Sequence, residues 1–452
     1  MSKYQTLSGF RDYLPAEARR RAAIFDVLRQ TFLKYGFDPL ETPALESLEL
    51  MTGKYGDESE QLMYKILKRG AELNRSLDNF NTDKSNSNCL SDAALRYDLT
   101  VPLARVVAQY QSEIKLPFKR FQIAPVWRAD RPQKGRFREF YQCDADIIGS
   151  VDMAADTECL MVGVELLSNI GLDKISIYLN NRKILNGLMD QLNVPNNLRV
   201  SVLRVLDKLT KIGRDSVIDE LADIGLTRDM SESFIKVVDI PPQEISDTLN
   251  YLRETITDST AIEGLNELEQ IINYLNDQPF INQIIISPWL SRGLDYYTGT
   301  IYEFTLTDNP EIGTICAGGR YDNLLNQFIG RPTPAVGISL GIDRLLSVVT
   351  GEIKNIYSLR SLVIIAGENN RPYGFDIAKR IRDLNIAASV YPRIDDIRSQ
   401  IGYAVNQQYD YAIIVGDEEN FNSTVTLKNL STREQKTISI SDLSTKSFKS
   451  DQ

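Results

Sequence analysis

The sequence predicts an α+β protein of two or three domains, and three observations support this prediction. Its 452 residues, 42% of them hydrophobic, are enough for more than one buried core. Extended segments rich in glycine, arginine and tyrosine stand on both sides of a long stretch with helical spacing of apolar residues. Roughly the last 95 residues alternate strand and helix patterns, which is typical of a doubly wound, mostly parallel sheet.

The middle of the chain predicts a helical insertion within a larger domain. Between about residues 182 and 283 the pattern is amphipathic, as at Val202, Val205, Leu206 and Leu209, and aromatic residues are few. Residues 73–92 are instead rich in Asn, Ser and Asp, and we interpret them as a mobile loop.

Composition excludes several classes of function. The chain has no histidine, so imidazole bases and histidine-ligated metals are excluded. Its four cysteines are far apart in sequence, which predicts free thiols and no zinc site. The net charge of −10 argues against nonspecific nucleic-acid binding, although a local basic patch can still bind phosphate. No membrane span or signal peptide is evident, so we expect a cytoplasmic protein.

A predicted hairpin contains the first candidate site. A strand over residues 121–128 ends on Arg128, and a returning strand develops within residues 136–146. A guanidinium on a rigid strand suits bidentate phosphate contact, but a solvated charged hairpin is the simpler alternative. Gln142, Asp144 and Asp146 share one face, which is too polar for an ordinary core.

A second candidate site lies at a strand-to-helix junction. Residues 334–340 form the predicted strand, Gly341 breaks it, and a helix containing Arg344 follows. An arginine beside glycines that permit close backbone approach suits a nucleotide. The alternative is a capped core helix with an exposed arginine.

These two sites resemble motifs 2 and 3 of class II aminoacyl-tRNA synthetases, and residues 37–46, with Pro43, resemble their dimer-forming motif 1. Three further segments resemble the histidyl-tRNA synthetase family in particular. They are LRYDLTVP at residues 95–102, RGLDYY at 292–297 and AGGRYD at 317–322. The resemblance covers essentially the whole chain.

The resemblance implies a fold, a division into domains and an assembly. It implies a catalytic domain with an antiparallel sheet flanked by helices over residues 1–325, interrupted by the helical insertion and completed by motif 3 at 326–352. Residues 353–452 would form an α/β anticodon-binding domain, and the protein would be a homodimer.

The resemblance also implies roles for individual residues. Arg128, Arg292 and Arg344 would be catalytic, with Arg128 on the ATP α-phosphate and Arg292 near the substrate carboxylate and that phosphate. ATP, bound with Mg²⁺, would be held by Arg128, Arg136, Phe140 and Arg344, with Phe140 and Arg344 on opposite sides of adenine. The tRNA acceptor end would contact Arg131 and Gln133.

For the amino acid, the resemblance implies a pocket specific for histidine. Asp98, Thr100 and Gln142 would hold the amino group, while Asp146 and Tyr297 would recognise the imidazole. The full set would be Asp98, Thr100, Gln142, Asp146, Tyr296, Tyr297, Gly318 and Gly319. Asp98 and Asp146 stand where many bacterial members carry glutamate, and Asp130 stands where glutamate is usual, so distances at these positions are expected to shift.

The expected reaction is the two-step ligation of L-histidine to tRNA(His), through histidyl-adenylate, with release of pyrophosphate and AMP. The alternative is the non-catalytic, synthetase-like regulatory subunit of ATP phosphoribosyltransferase. That protein typically lacks the anticodon-binding domain and has degraded catalytic residues, whereas all three arginines are present here.

Overall fold

The computed structural model describes residues 4–52, 61–82, 87–132, 137–292, 296–349, 359–393 and 395–448. The chain divides into two compact units, Met1–Gly351 and Glu352–Gln452. All four cysteines are free thiols. No helix within the described ranges is both long enough and apolar enough to cross a membrane.

A mixed sheet is the centre of the first unit. The strands described in this unit are, in chain order, β1 (Asp38–Pro39), β2 (Leu45–Ser47), β3 (Lys65–Leu67), β4 (Ser91–Leu95), β5 (Phe118–Trp127), β6 (Glu139–Ile148), β7 (Ile175–Asn181), β8 (Ile284–Ile286), β9 (Thr300–Leu306), β10 (Cys316–Arg320) and β11 (Ala335–Gly341). The large sheet has the order β1-β5-β6-β11-β10-β9-β7-β8, and a small one has the order β2-β4-β3. Only the β1–β5 and β7–β8 pairs of the large sheet are parallel. The predicted, largely antiparallel sheet is confirmed.

Helices flank this sheet. Those described in the first unit are α1 (Pro15–Lys34), α2 (Leu48–Met51), α3 (Gly70–Thr82), α4 (Thr100–Gln109), α5 (Met153–Asn169), α6 (Arg182–Gln191), α7 (Arg199–Leu206), α8 (Leu209–Ile212), α9 (Arg214–Asp223), α10 (Arg228–Val238), α11 (Ile245–Thr255), α12 (Ser259–Leu275), α13 (Asn326–Ile329) and α14 (Ile342–Val348). Helix α5 lies directly on the sheet, because a Cβ at its Gly163 would come within 2.6 Å of Ile338 and 2.9 Å of Phe304. Helices α6 to α12 follow one another between β7 and β8.

Helix α12 shows why the sequence between β7 and β8 is helical. Asp258 caps it, since its carboxylate accepts hydrogen bonds from the backbone of Thr260 at 2.8 Å and of Ala261 at 3.1 Å. Its buried residues recur every three or four positions: Ala261, Gly264, Leu265, Leu268, Ile271 and Leu275. Burial of this stripe, more than intrinsic helix propensity, stabilises the helix.

The interpretation of residues 73–92 as a loop was wrong for most of the segment. Helix α3 continues to Thr82, and strand β4 begins at Ser91. Leu73, Ser76 and Phe80 face inward at helical spacing, while the Asn and Asp residues between them lie on the solvated side. The polar composition concealed this periodicity. Residues 83–86, at the centre of the polar run, lie outside the described residues.

The second unit is an α/β domain with its own core. Its described elements are β12 (Arg360–Ile365), α15 (Arg371–Asp383), β13 (Ala387–Val390), α16 (Ile397–Asn406), β14 (Tyr411–Val415), α17 (Asp417–Asn422), β15 (Thr424–Asn429) and β16 (Gln435–Ser439). The sheet order is β13-β12-β14-β15-β16, with the first three strands parallel and the last two antiparallel. The short links before β15 and β16 are compatible only with antiparallel neighbours, since a parallel pair needs a long crossover.

Candidate active site

The candidate active site lies on one face of the large sheet, where β5, β6, β11 and β10 are adjacent. Residues paired across neighbouring strands point to the same face, as do residues two apart on one strand. One row across the strands consists of Arg120, Asp146, Gly337 and Gly319. The next row consists of Gln122, Asp144, Ser339, Ala317 and Glu303. Strand register therefore gathers polar side chains that are far apart in sequence.

Glycines on β10 and β11 allow these side chains to lie against the backbone. A Cβ at Gly337 would come within 2.0 Å of the Asp146 carboxylate, and one at Gly319 would come within 2.9 Å of the Tyr297 ring. Gly318 lies on the opposite face, where a Cβ would come within 2.8 Å of Tyr302. Of Gly318 and Gly319, which were both predicted to line the site, only Gly319 therefore has its side-chain position on the face of the candidate site.

Asp146 is held on both of its carboxylate oxygens. Arg120 Nη2 lies 2.6 Å from Asp146 Oδ2, and the Tyr321 hydroxyl donates a hydrogen bond to Oδ1. Burial raises the pKa of Asp146 above its ordinary value, although Arg120 and the Tyr321 hydrogen bond act in the opposite direction. Arg120 is 0% exposed, so this ion pair is isolated from water.

A second hydrogen-bonded group lies beside this pair. The Ser339 hydroxyl donates to Asp144 Oδ1 at 2.5 Å, and Gln142 Nε2 donates to Ser339 Oγ at 3.2 Å. Burial raises the pKa of Asp144 to about 7, while the charge of Arg120 opposes the shift. Gln142 Oε1 is buried, and no hydrogen-bond donor among the described residues reaches it.

Asp98 contributes a further carboxylate at the start of α4. Its Oδ1 accepts hydrogen bonds from the backbone N–H groups of Thr100 and Val101, each at 3.1 Å. These contacts cap the helix and fix the carboxylate. Asp98 is buried, and its charge contributes to the raised pKa values of Asp144 and Asp146, after burial itself.

Arg292 occupies a constrained backbone position next to the insertion. Its φ is +58°, a left-handed conformation that costs a non-glycine residue roughly 1–3 kcal/mol and that occurs preferentially at active sites. The preceding residue is anchored to the insertion, because Ser291 Oγ donates to the Leu203 carbonyl at 2.8 Å and Arg182 donates to the Ser291 carbonyl. Arg292 Nη1 lies 2.8 Å from Glu303 Oε1.

A short chain of contacts joins Arg292 to Arg344. Glu303, the ion-pair partner of Arg292, also accepts a hydrogen bond from the Thr314 hydroxyl at 2.7 Å. The carbonyl of the same threonine accepts from Arg344 Nη1 at 2.6 Å. Two of the three predicted catalytic arginines, from distant parts of the chain, are therefore connected through Thr314.

Arg128 stands between two aromatic rings. Its guanidinium carbon lies 4.3 Å from the ring centre of Tyr97 and 5.2 Å from that of Phe140, and its Nε donates to the Tyr97 carbonyl at 3.0 Å. Cation–π contacts of this kind orient the planar guanidinium. The predicted phosphate-binding arginine and the predicted adenine-stacking ring are thus neighbours.

The segment before α1 connects the β5–β6 hairpin to α14. The Tyr13 hydroxyl donates to Asp343 Oδ1 at 2.5 Å, and Arg11 forms an ion pair with the same carboxylate. Asp343 Oδ2 accepts from the backbone N–H of Tyr141 on β6 at 3.2 Å. Burial, followed by the contact with Asp343, raises the pKa of Tyr13 to about 12. This network ends next to Arg344.

Most predicted site residues are therefore brought together, but some are not. Arg131 is exposed on the hairpin, and Gln133 and Arg136 lie outside the described residues. Sequence reasoning omitted residues that contact the candidates: Arg120, Asp144, Glu303, Thr314, Tyr321 and Ser339. Asp144 was predicted to share a face with Gln142 and Asp146, and Tyr321 lies in the AGGRYD segment at residues 317–322. No sequence pattern indicated a functional role for the other four residues.

The arrangement offers two chemical environments side by side. Among the described residues, three buried carboxylates, those of Asp98, Asp144 and Asp146, lie around the buried guanidinium of Arg120, so this part of the site favours a further positively charged group. The arginines at the other end favour phosphate. Within the described ranges, no three cysteine, aspartate or glutamate side chains are grouped as metal ligands.

Such a sheet, with arginines at a hairpin and at a strand–helix junction beside a cluster of buried carboxylates, defines a class II aminoacyl-tRNA synthetase. The family model described as histidyl-tRNA synthetase matches residues 9–345, and the model of the anticodon-binding domain matches residues 361–449. The chain belongs to the histidyl-tRNA synthetase family.

Individual relatives agree with this assignment. The chain is 38% identical to the histidine–tRNA ligase of Azobacteroides pseudotrichonymphae, over 98% of each protein, and 36% identical to that of Christiangramia forsetii, over 96% of the chain and 97% of the relative. The crystal structure of histidyl-tRNA synthetase from Nostoc sp. PCC 7120 superposes with a TM-score of 0.82, at 28% identity and 97% coverage of both chains. A Bacillus halodurans structure titled as an ATP phosphoribosyltransferase regulatory subunit/histidyl-tRNA synthetase has a TM-score of 0.74 at 20% identity, covering 92% of this chain and 99% of that one, which shows a shared fold only.

Proposed function

We propose that this chain ligates L-histidine to tRNA(His) in two steps, first forming histidyl-adenylate from histidine and ATP–Mg²⁺ and then transferring the histidyl group to the tRNA 3′ end. The observation that carries the proposal is the connection of Arg292 to Arg344 through Glu303 and Thr314, on the same face of the sheet as Asp146. It supports a site in which phosphate charge develops beside a selective amino-acid pocket.

The arginines suit the chemistry of adenylate formation. Attack of the histidine carboxylate on the α-phosphate increases negative charge around phosphorus, so the reaction needs positive groups held in position more than a proton acceptor. We assign Arg128 and Arg292 to the α-phosphate, Arg344 to the γ-phosphate and Phe140 to adenine. A chain without histidine can carry out this reaction, because no general base is required of it.

The buried carboxylate pocket suits an imidazole. We assign Asp146 and Tyr297 to its two ring nitrogens, since a carboxylate and a phenol provide an acceptor and a donor. Arg120 and Tyr321 would keep Asp146 ionised and fixed in direction. A site that pairs both nitrogens should reject apolar side chains of similar size, because these leave its buried polar groups unsatisfied.

The tRNA would contact both units. We assign Arg131 and Gln133, on the loop between β5 and β6, to the acceptor end. The second unit, which matches the anticodon-binding domain, would bind the anticodon. We further propose that the protein works in the cytoplasm, with its substrates.

We also propose that the active form is a homodimer. Strand β1, within the segment that resembles motif 1, lies at the end of the large sheet and pairs there with β5. A cavity of about 740 Å³ lies beside it, with Leu40, Tyr110 and Phe118 among its lining residues. An edge strand next to a groove lined by both apolar and charged residues supports contact with a second copy.

The regulatory-subunit alternative is not favoured. Its members typically lack an anticodon-binding domain, whereas residues 361–449 match one here. Arg128, Arg292 and Arg344 are all retained.

ATP–pyrophosphate exchange tests the proposed function. With each of the twenty amino acids in turn, we expect exchange with histidine only. Arg292→Ala should lower that exchange by about a hundred-fold or more, the usual cost of removing a group that stabilises transition-state charge. A wild-type protein that is folded yet shows no histidine-dependent exchange would refute the synthetase proposal.

Arg253→Ala is the matched control for this experiment. Arg253 is an exposed arginine of α11 whose ion pair with Glu269, at 2.8 Å, lies within the insertion. We expect its exchange rate to stay within about two-fold of wild type, as for other exposed pairs. Equal exchange by Arg292→Ala and Arg253→Ala would contradict the role assigned to Arg292.

A further inference from the structure

Asp144, Ser339 and Gln142 form a linear set of hydrogen bonds beside the proposed histidine pocket. Asp144 and Ser339 are direct partners across β6 and β11, and Gln142 lies on the same face of β6, two residues before Asp144. The separations are 2.5 Å from Ser339 Oγ to Asp144 Oδ1 and 3.2 Å from Gln142 Nε2 to Ser339 Oγ. Neither Asp144 nor Ser339 has a role in the proposed reaction so far.

The direction of these hydrogen bonds follows from the number of hydrogens available. A serine hydroxyl has one hydrogen, and here Ser339 donates it to the carboxylate of Asp144. Ser339 Oγ can then only accept from Gln142, so the amide must present its NH₂ group to the serine. The amide oxygen is left directed away from Ser339, and that oxygen is the buried Oε1 without a donor among the described residues.

We propose that Asp144 and Ser339 are positioning residues: they hold the Gln142 amide in the orientation in which Oε1 accepts a hydrogen bond from the α-ammonium group of the amino-acid substrate. This inference rests on the proposed function, in which Gln142 holds the amino group. It explains why the Gln142 amide presents its oxygen, and not its NH₂ group, to that amino group. A buried acceptor gains most from a charged donor, and the excess of nearby carboxylates favours a cation at this point.

The protonation state of Asp144 agrees with this role. Burial raises the pKa of Asp144 to about 7, so the ionised form, which can only accept, predominates above neutral pH. A protonated Asp144 could instead donate to Ser339, which would then donate to the Gln142 oxygen and reverse the amide. The charged and titratable groups that act on or near Asp144 are Arg120 from β5, Cys143 and Asp146 from β6, Asp98 from the start of α4, and Tyr297 and Cys316.

The test uses two fragments of histidine as inhibitors of exchange. Histidinol keeps the ammonium group and lacks the carboxylate, whereas imidazole propionate keeps the carboxylate and lacks the ammonium group. In Asp144→Ala, which removes the acceptor of the Ser339 hydroxyl, and in Ser339→Ala we expect the inhibition constant of histidinol and the KM of histidine to rise about ten-fold or more, the scale of one hydrogen bond to a charged group. Imidazole propionate binding and the KM of ATP should stay within about three-fold.

Two further variants serve as controls. Ser339→Thr keeps the hydroxyl and should restore histidinol binding to within about three-fold of wild type. Ser287→Ala removes a buried serine hydroxyl at the far edge of the sheet, where it donates to the Ile285 carbonyl, and should leave both fragments unaffected.

The outcomes separate this inference from the proposed function. Equal weakening of both fragments in Ser339→Ala, or unchanged histidinol binding in Asp144→Ala, would overturn the positioning role. A wild-type protein that binds neither fragment and shows no histidine-dependent exchange would instead refute the proposed function. Binding of imidazole propionate by the variants also shows that they are folded.

Discussion

At the scale of single residues, the site contains charges that cost stability. Asp144 is 3% exposed and is ionised only against the effect of burial, which raises its pKa from 3.8 to about 7. A raised pKa means that folding favours the protonated form. The loss of unfolding free energy caused by ionising Asp144 is therefore absent below about pH 4. It grows between about pH 4 and about pH 7 and is complete above about pH 7. At about 1.4 kcal/mol per pKa unit it amounts to ~4 kcal/mol.

Replacing the Asp144 carboxylate should therefore stabilise the protein relative to wild type, and more so at high pH than at low pH. We expect Asp144→Asn to unfold at higher urea concentration than wild type at pH 8, with a gain in unfolding free energy about 3 kcal/mol larger at pH 8 than at pH 5. Asp277→Asn, at an exposed position, is the control and should show no such difference. A gain independent of pH would contradict the assignment. Weaker histidinol binding in the same, more stable variant would show that stability and function oppose each other here.

At the scale of elements, residues 4–14, which precede α1, form no helix or strand but make specific contacts. Gly9 and Ser8 accept hydrogen bonds from Arg138, which lies at the loop end of the β5–β6 hairpin, and Arg11 and Tyr13 contact Asp343 on α14. The Arg11 guanidinium also stacks 4.0 Å from the centre of the Phe137 ring. One segment thus holds both elements from which the proposed ATP-binding arginines project.

Loss of these contacts should affect ATP more than histidine. Arg11→Ala removes the partner of Asp343, next to Arg344, and we expect the KM of ATP in pyrophosphate exchange to rise about three- to ten-fold, since small misplacement of binding groups is costly. The KM of histidine should change less than two-fold. Arg20→Ala, at an exposed position on α1, is the matched control. An equal rise in both KM values would contradict a specific effect on α14.

At the scale of the whole molecule, assembly is the property that the single chain leaves open. The large sheet ends at β1, whose two residues pair with β5. Tyr110, 40% exposed, lies on the groove beside this strand. A groove that exposes an aromatic ring next to an edge strand is the kind of surface that stable oligomers cover.

The mass in solution tests the proposed homodimer. The chain has a mass of 51.1 kDa, so sedimentation equilibrium should give a species of twice that value. Tyr110→Glu places a charge in the groove, which we expect to weaken association at least ten-fold, since a charge buried without a partner is strongly unfavourable. Tyr274→Glu, at a similarly exposed tyrosine on α12, should sediment as wild type. A monomeric wild-type protein would contradict the proposal.

Local patterns in the sequence predicted the elements well. The strand that ends just before Arg128, the strand that carries Asp146, the junction before Arg344 and the alternation of the C-terminal unit all depend on residues close together in the chain. Residues 73–92 were misjudged because their composition outweighed a weak helical period at Leu73, Ser76 and Phe80.

The sequence by itself indicated the family, the helical stretch between β7 and β8, the strand–helix alternation of the second unit, and the residues that we propose to face the substrates, because these depend on short contiguous segments. Only the tertiary structure decided how those residues are held. Arg120 beside Asp146, Ser339 beside Asp144, and Thr314 between Glu303 and Arg344 arise from strand register and loop packing, which join positions far apart in the chain. Such contacts depend on pairing between distant strands, and no local pattern encodes that pairing.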